Sequence, residues 1–238
     1  MTRWQAVVFD LDDTLYAERD YVLSGLRAVA TWAEGQLGLP AERSFAELRR
    51  LFEDGVRGNT FDRWLSTHGL QPDERVTAMV HIYRGHKPQI ALESDVHDLL
   101  VRLRQRYRLG LLTDGHLEVQ RRKVTALGLE HFFQAIVYSD ALGREVWKPS
   151  PQPFQAMLRQ LSVTANAAVY VGDNPAKDFR GARRVGMHTI RVRREEGVYR
   201  DLEPASAEDA PHVELASLDA LEAYLRSEFQ NSATVRRA

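Results

Sequence analysis

The chain has 238 residues, with 32 Lys and Arg against 33 Asp and Glu and a formal net charge of −1. That length holds one large domain or a domain with an insertion, and near-neutral charge with 44% hydrophobic residues gives no sign of a nucleic-acid or membrane-surface protein. Cysteine is absent, which excludes disulfides, thiolate metal sites and a cysteine nucleophile, and fits a reducing, cytoplasmic setting.

The first element is a short apolar run, "AVVF" (6–9), read as a buried strand. Asp10 interrupts it too early for a signal peptide. No run of about 18 apolar residues occurs anywhere, so no membrane span is expected. Directly behind the strand stand Asp10, Asp12, Asp13 and Thr14. Carboxylates this crowded repel one another, and withdrawing them from water costs several kcal/mol unless positive charge compensates.

Residues 17–93 carry helical stripes only: Tyr21, Leu26, Val29 and Ala30, then Phe45, Leu48, Leu51 and Phe52, then Val76, Val80 and Tyr83. "SFAE" (44–47) resembles a capping box. This region is expected to be a helical insertion, and residues 1–16 with 94–238 the core around it.

Beyond it the pattern alternates. Val96, Leu99, Leu100 and Leu103 mark a helix before the strand "LGLL" (109–112), and Val124 and Leu127 end another, with Gly128 placed to cap it. "AIVY" (135–138) follows, then Ser150 and Pro151 as N-cap and first residue of a helix carrying Phe154, Met157, Leu158 and Leu161. "AVYV" (168–171) precedes a stripe of Phe179, Ala182 and Val185 that Gly186 ends, and "HTIRV" (188–192) and "HVEL" (212–215) complete the strands. The basic stretches "RQRYR" (104–108) and "QRRK" (120–123) read as solvated helix faces. The polar tail after Phe229 is expected to fray.

Strands alternating with helices predict an α/β fold, a doubly wound parallel sheet of the Rossmann type with an inserted all-helical domain. In such a sheet Asp10, Thr113, Asp173 and the loop bearing Lys148 all fall at the carboxyl edge. Asp10, Asp12 and Asp173 offer hard oxygen ligands suited to Mg²⁺. With Lys148 as a second positive charge and a threonine hydroxyl, that site suits a phosphoryl group, whose transfer needs positioning and charge stabilisation.

In order and spacing, "FDLDDTL" (9–15), "LLTDG" (111–115), "WKPSPQPF" (147–154) and "VGDNPAKD" (171–178) resemble the four motifs of the haloacid dehalogenase superfamily. The insertion resembles that family's helical type 1 cap, found on phosphatases of nucleotides, sugar phosphates and phosphoglycolate and on a phosphoglucomutase. The chain resembles the group of phosphoglycolate phosphatase, 5′-nucleotidase and N-acylneuraminate-9-phosphatase.

The resemblance implies a Mg²⁺-dependent phosphatase. It makes Asp10 the nucleophile that forms an aspartyl-phosphate and Asp12 the general acid, then base. Thr113 holds phosphoryl oxygens, and Lys148 steadies nucleophile and transferring group. Asp173 binds the metal with Asp10 and the backbone carbonyl of Asp12, and Asp178 ligates it or orients through water. Two positions depart from the family. Asp13 replaces a frequent Gly and is read as a turn residue; Asp114 replaces a frequent Asn and either shifts local charge or caps the following helix.

A phosphomutase or a 2-haloacid dehalogenase on the same scaffold stays open, as does a non-enzymatic phospho-signalling module. The dehalogenases generally lack an acid at the position of Asp12, which favours phosphate chemistry. For substrate contacts the candidates are Thr113, Asp114 and Lys148, with His86 and Lys87 in "YRGHKP" (83–88), the loop "RGNTF" (57–61), Tyr16 and Arg19. The expected partner is a small phosphorylated metabolite, with neither nucleic acid nor membrane, acting on a monomer or homodimer.

Overall fold

The computed structural model describes residues 4–235, with side chains as far as 227. Six strands, β1 (Ala6–Phe9), β2 (Arg108–Thr113), β3 (Ala135–Tyr138), β4 (Ala168–Gly172), β5 (His188–Val192) and β6 (Val213–Leu215), form one sheet in the order β3-β2-β1-β4-β5-β6. Every neighbouring pair is parallel. β1 and β4 are buried along their whole length. Strands covered on both faces need apolar side chains at every position, which is why they read as unbroken apolar runs. The doubly wound parallel sheet expected from the sequence is the fold observed.

Five helices belong with the sheet in sequence: α5 (Ser94–Arg104), α6 (Leu117–Ala126), α7 (Gln152–Leu161), α8 (Phe179–Arg184) and α9 (Asp219–Val235), numbered after the four of the insertion. Helix α7 lays Phe154, Met157, Leu158 and Leu161 against Val8, Leu112, Val137 and Tyr170 of the strands. Each such fully buried side chain is worth about 1.5–3 kcal/mol. Gly110 makes this contact possible, because a Cβ there would lie 2.5 Å from the Met157 sulfur.

By compactness the chain divides into residues 1–18 with 91–238, and residues 19–90. The second unit is built from α1 (Glu18–Leu37), α2 (Ala41–Glu53), α3 (Thr60–Thr67) and α4 (Glu74–Gly85). Its core joins Leu26, Val29, Ala33, Leu48, Trp64, Leu65 and Met79.

Three local expectations are corrected. Ser44 is no cap: it lies buried inside α2, and its N–H donates to the Pro40 carbonyl at 2.9 Å. The fixed φ of Pro40 starts the helix earlier, and Glu47 accepts instead from Arg43, Trp64 and His68. At α7 the cap position belongs to Pro151, one residue later than expected, while the Ser150 hydroxyl still accepts from the Gln152 N–H at 3.3 Å. The backbone beyond Phe229 stays helical to Val235; the remainder of the tail lies outside the described residues.

Among the described residues no helix is long and apolar enough to cross a membrane.

Candidate active site

The order of strands decides where chemistry can gather. β1 pairs with β2 on one side and with β4 on the other, so the crossovers leave it in opposite directions and open a crevice at the carboxyl ends of the strands. Asp10 directly follows β1, and its N–H extends the ladder by donating to the Val171 carbonyl at 2.8 Å. Thr113 closes β2, Asp173 follows β4, and Lys148 stands in the loop between β3 and α7.

At that edge Asp10, Asp173 and Asp178 each bring a carboxylate oxygen within 4.8 Å of the others, and all three are buried. Lys148, its side chain wholly shielded from solvent, ties two of them together. Its Nζ donates to Asp10 Oδ1 at 2.5 Å, to Asp178 Oδ1 at 2.7 Å and to the Tyr170 hydroxyl at 3.0 Å. Asp178 is further held by the Asn174 N–H, which donates to Oδ2 at 2.9 Å. Gly172 leaves room for it, since a Cβ there would lie 2.6 Å from the same oxygen.

Burial and charge pull the three carboxyls apart. Burial pushes Asp10 up to about 6, against the pull of Lys148. Burial also raises Asp173 well above the usual carboxylate range, helped by repulsion from Asp178 and Asp10. For Asp178 the burial penalty is outweighed by Lys148 and Lys177, which hold it below that range. Lys148 is itself raised well above an ordinary lysine, because Asp10 and Asp178 more than offset its burial.

Asp12 lies outside this cluster. Its Oδ1 accepts from the Tyr16 hydroxyl at 2.5 Å and from Lys123 Nζ at 2.7 Å, and its Oδ2 accepts from Gln120 Nε2 at 2.9 Å. Burial would raise its pKa, yet the Lys123 charge and these hydrogen bonds hold it below the ordinary value. Gln120 Nε2 also donates to Thr113 Oγ1 at 2.5 Å. Because a carboxylate only accepts, the amide nitrogen must face Asp12.

The two departures have definite places. Asp13 has φ of 53°, in the left-handed region that glycine tolerates best, and its carboxylate accepts from the N–H groups of Glu18 and Val198, each at 2.8 Å. Asp13 is therefore a turn residue that ties down the start of the helix at Glu18 and the loop at Val198. Asp114 does not cap α6. Its Oδ1 accepts from the Ser139 hydroxyl, and the Leu117 N–H at the helix start donates to Asp140 Oδ2 at 2.9 Å.

Three contributors, Gln120, Lys123 and Arg191, escaped sequence reasoning, and a fourth, Tyr16, has a role other than the one the sequence suggested. Gln120 and Lys123, three apart on α6, are 2% and 3% exposed, so "QRRK" is in part a buried face turned onto Asp12 and not simply a solvated one. Tyr16, considered for substrate contact, is buried on Asp12 as well. Arg191 of β5, fully buried, donates to the Asp173 carbonyl at 3.0 Å and to the carbonyls of Tyr199 and Leu202, which fixes the backbone that carries Asp173. The i, i+3 spacing of Gln120 and Lys123 was the local signal for that face.

The remaining candidates lie in the helical unit. His86 donates from Nδ1 to the Tyr83 carbonyl at 2.6 Å and lies against the Tyr21 ring, 5.0 Å between centroids. Lys87 is exposed. Arg19 pairs with Glu53 at 2.7 Å, and Arg57 of "RGNTF" donates to the Phe52 carbonyl at 2.7 Å.

The cluster suits a hard divalent cation. Three buried carboxylates face a single fully buried ammonium, with half-buried Lys177 adding positive field. One atom, Asp173 Oδ2, is buried with no hydrogen-bond partner. A donor set of oxygens alone, short of positive charge, is the chemistry that Mg²⁺ accepts.

A parallel sheet with an acidic edge, a buried lysine and a threonine is an arrangement suited to phosphoryl chemistry. A family model described as haloacid dehalogenase-like hydrolase matches residues 7–192, and the chain belongs to that family, as an enzyme of its phosphatase type. It is 38% identical over 220 residues to a glyceraldehyde 3-phosphate phosphatase of Methanopyrus kandleri, covering 89% of this chain and 92% of the relative. To a phosphoserine phosphatase of Thermus thermophilus it is 31% identical, covering 83% of this chain and 68% of the relative. Among solved structures, a 2-haloacid dehalogenase of Pseudomonas syringae superposes with a TM-score of 0.64 at 26% identity, covering 94% of this chain and 99% of that one.

Proposed function

We propose that this protein is a Mg²⁺-dependent phosphatase that hydrolyses a small phosphate monoester through an aspartyl-phosphate on Asp10, as a cytoplasmic enzyme. The observation that carries this reading is the set of Asp10, Asp173 and Asp178 bridged by Lys148, with the Asp173 oxygen left unpartnered.

Asp10, Asp173 and the backbone carbonyl of Asp12 would hold the metal, and Asp178, saturated by Lys148, Tyr170 and Asn174, would act through its neighbours. Bound there, Mg²⁺ supplies charge neutralisation for the phosphoryl group.

Lys148 occupies Asp10 Oδ1, so the other oxygen is the one free to attack phosphorus. In the first half, Asp12, ionised at rest beside Lys123, must first take up a proton from solvent; the Asp10 oxygen then bonds to phosphorus, the ester P–O bond breaks, and Asp12 passes that proton to the departing alkoxide. In the second half, Asp12 takes a proton from water, whose oxygen attacks the same phosphorus. The P–O bond to Asp10 then breaks, releasing inorganic phosphate and restoring both carboxyl groups. Thr113, whose oxygen accepts from Gln120 and whose O–H donates over a long 3.4 Å to the Asp114 carbonyl, can turn that O–H to a phosphoryl oxygen.

Two of the relatives are named for three-carbon monoesters, glyceraldehyde 3-phosphate and phosphoserine, which puts that class first among the substrates to try. Dehalogenation is disfavoured because a departing halide takes no proton, which would leave the three donors gathered on Asp12 without a purpose. His86 and Lys87 stay candidates for contact with the leaving group.

The test is release of inorganic phosphate from a panel of three-carbon, sugar, nucleotide and two-carbon phosphates, with Mg²⁺ and with chelator. Chelator-sensitive release is expected. Absence of release from every member, or release unaffected by chelator, overturns the reading.

A further inference from the structure

Lys123 is a lysine 3% exposed, held in a position where desolvating an ammonium costs several kcal/mol. It pairs with Asp12 at 2.7 Å. One helical turn earlier on the same buried face, Gln120 spends both amide hydrogens, one on Asp12 Oδ2 and one on Thr113 Oγ1. Tyr16 adds a third donor to Asp12 Oδ1. The Asp12 carboxylate therefore meets donors on both oxygens, from two different elements, and cannot rotate without breaking at least one contact.

The backbone supports the same arrangement. Gly115 has φ of +125°, and a Cβ built on it would lie 3.2 Å from the Gln120 carboxamide carbon. The turn after β2 thus presses against the Gln120 side chain, and only glycine fits there. The three donors, Gln120, Lys123 and Tyr16, carry no step of the proposed reaction themselves and lie outside the buried cluster of Asp10, Asp173 and Asp178.

We propose that Gln120 and Lys123 are positioning residues: α6 presents them as a clamp that orients the Asp12 carboxyl toward the leaving group and, through Gln120, turns the Thr113 hydroxyl into a donor for the phosphoryl group. The inference rests on the proposed function, with Asp12 as the proton donor to the departing alkoxide.

A clamp on the acid predicts a dependence on the leaving group that a purely structural ion pair lacks. An alkoxide must be protonated as it departs, whereas p-nitrophenolate is stable without a proton. Values of kcat/KM report steps through cleavage of the ester bond, so they isolate the half-reaction in which Asp12 acts as acid. A positioned acid contributes about 10²–10⁴ in rate, and a misaligned one forfeits part of that.

The experiment compares kcat/KM for an alkyl monoester and for p-nitrophenyl phosphate in the unaltered protein, in Lys123→Met and in Asp12→Asn, with folding checked by circular dichroism. Lys123→Met is expected to lower the alkyl value about 10- to 100-fold while the aryl value falls several-fold less. In the double variant Asp12→Asn/Lys123→Met no further loss is expected beyond Asp12→Asn alone, because the clamp then has nothing to hold. Should Lys123→Met fail to fold, Gln120→Met, which removes no charge, carries the same comparison. Equal losses on both esters, or additive losses in the double variant, overturn the clamp while leaving the phosphatase reading intact. An unaltered protein that hydrolyses neither ester overturns the phosphatase reading and the clamp with it.

Discussion

The charge balance at the sheet edge makes a quantitative demand on Lys148. Lys148→Met keeps most of the apolar stem but removes the one ammonium that contacts Asp10 at 2.5 Å, Asp178 at 2.7 Å and the Tyr170 hydroxyl at 3.0 Å. Breaking a buried pair by removing one partner costs about 3–5 kcal/mol. For a chain of this size each kcal/mol moves the melting temperature by about 2–4 °C, so the sheet-bearing unit should melt roughly 6–20 °C lower in the presence of chelator.

The deficit should also depend on pH. Asp10 is raised from 3.8 to about 6, so between those values the folded state holds a proton that the unfolded state has released. Its contribution to stability is therefore full below the lower value and lost as pH rises through the upper one. Without Lys148 the carboxyl moves higher still, takes up a proton readily in acid, and relieves the imbalance. The difference between variant and parent should be small near about pH 5 and full near about pH 8. Thermal melts followed by circular dichroism read both quantities. A deficit below about 2 °C at the alkaline end, or one of equal size at both, refutes the view that Lys148 balances these carboxylates.

Three further outcomes follow from particular contacts. Asp10→Asn should abolish release of phosphate while the protein stays folded, since it removes a buried charge as well as the nucleophile; residual turnover above about one part in a thousand, measured by phosphate release, contradicts covalent catalysis. Mg²⁺ affinity, read by calorimetry, should weaken as pH falls through about 6, because protons compete for Asp10, and binding should release protons. Asp13→Ala should lose about 1–3 kcal/mol, because the N–H groups of Glu18 and Val198 lose their acceptor and a Cβ-bearing residue keeps the positive φ; Asp13→Gly should lose less, and chemical denaturation compares the two.

Much of the sheet was legible because a parallel strand covered on both faces admits few polar residues. "AVVF" and "AVYV" fall on β1 and β4 within a residue at each end. The converging edge was legible for the same reason, since parallel strands carry every carboxyl end to one side. Helix starts were harder. At α2 the sequence offered both Pro40 and the "SFAE" pattern, and burial of Ser44 under the helical core decided between them. A capping box exposes its serine at a helix end, whereas Ser44 is 1% exposed.

The least legible part of the site is the face of α6. In sequence, "QRRK" is three cations and an amide, and a solvated helix face is the ordinary reading of such a run. What separates its members is rotation about the helix axis: Gln120 and Lys123 share one side and are buried, while Arg121 pairs with Glu118 at the surface at 2.9 Å. The side that faces inward depends on where Asp12 lies, 111 residues away in the chain, and no local pattern encodes that distance. Charge conservation does encode it in part. The first motif has three carboxylates, Lys148 serves the cluster at Asp10, and Asp12 is left needing a cation of its own. A lysine on the helix that follows β2, at the strand neighbouring β1, is the nearest place from which the topology could supply one.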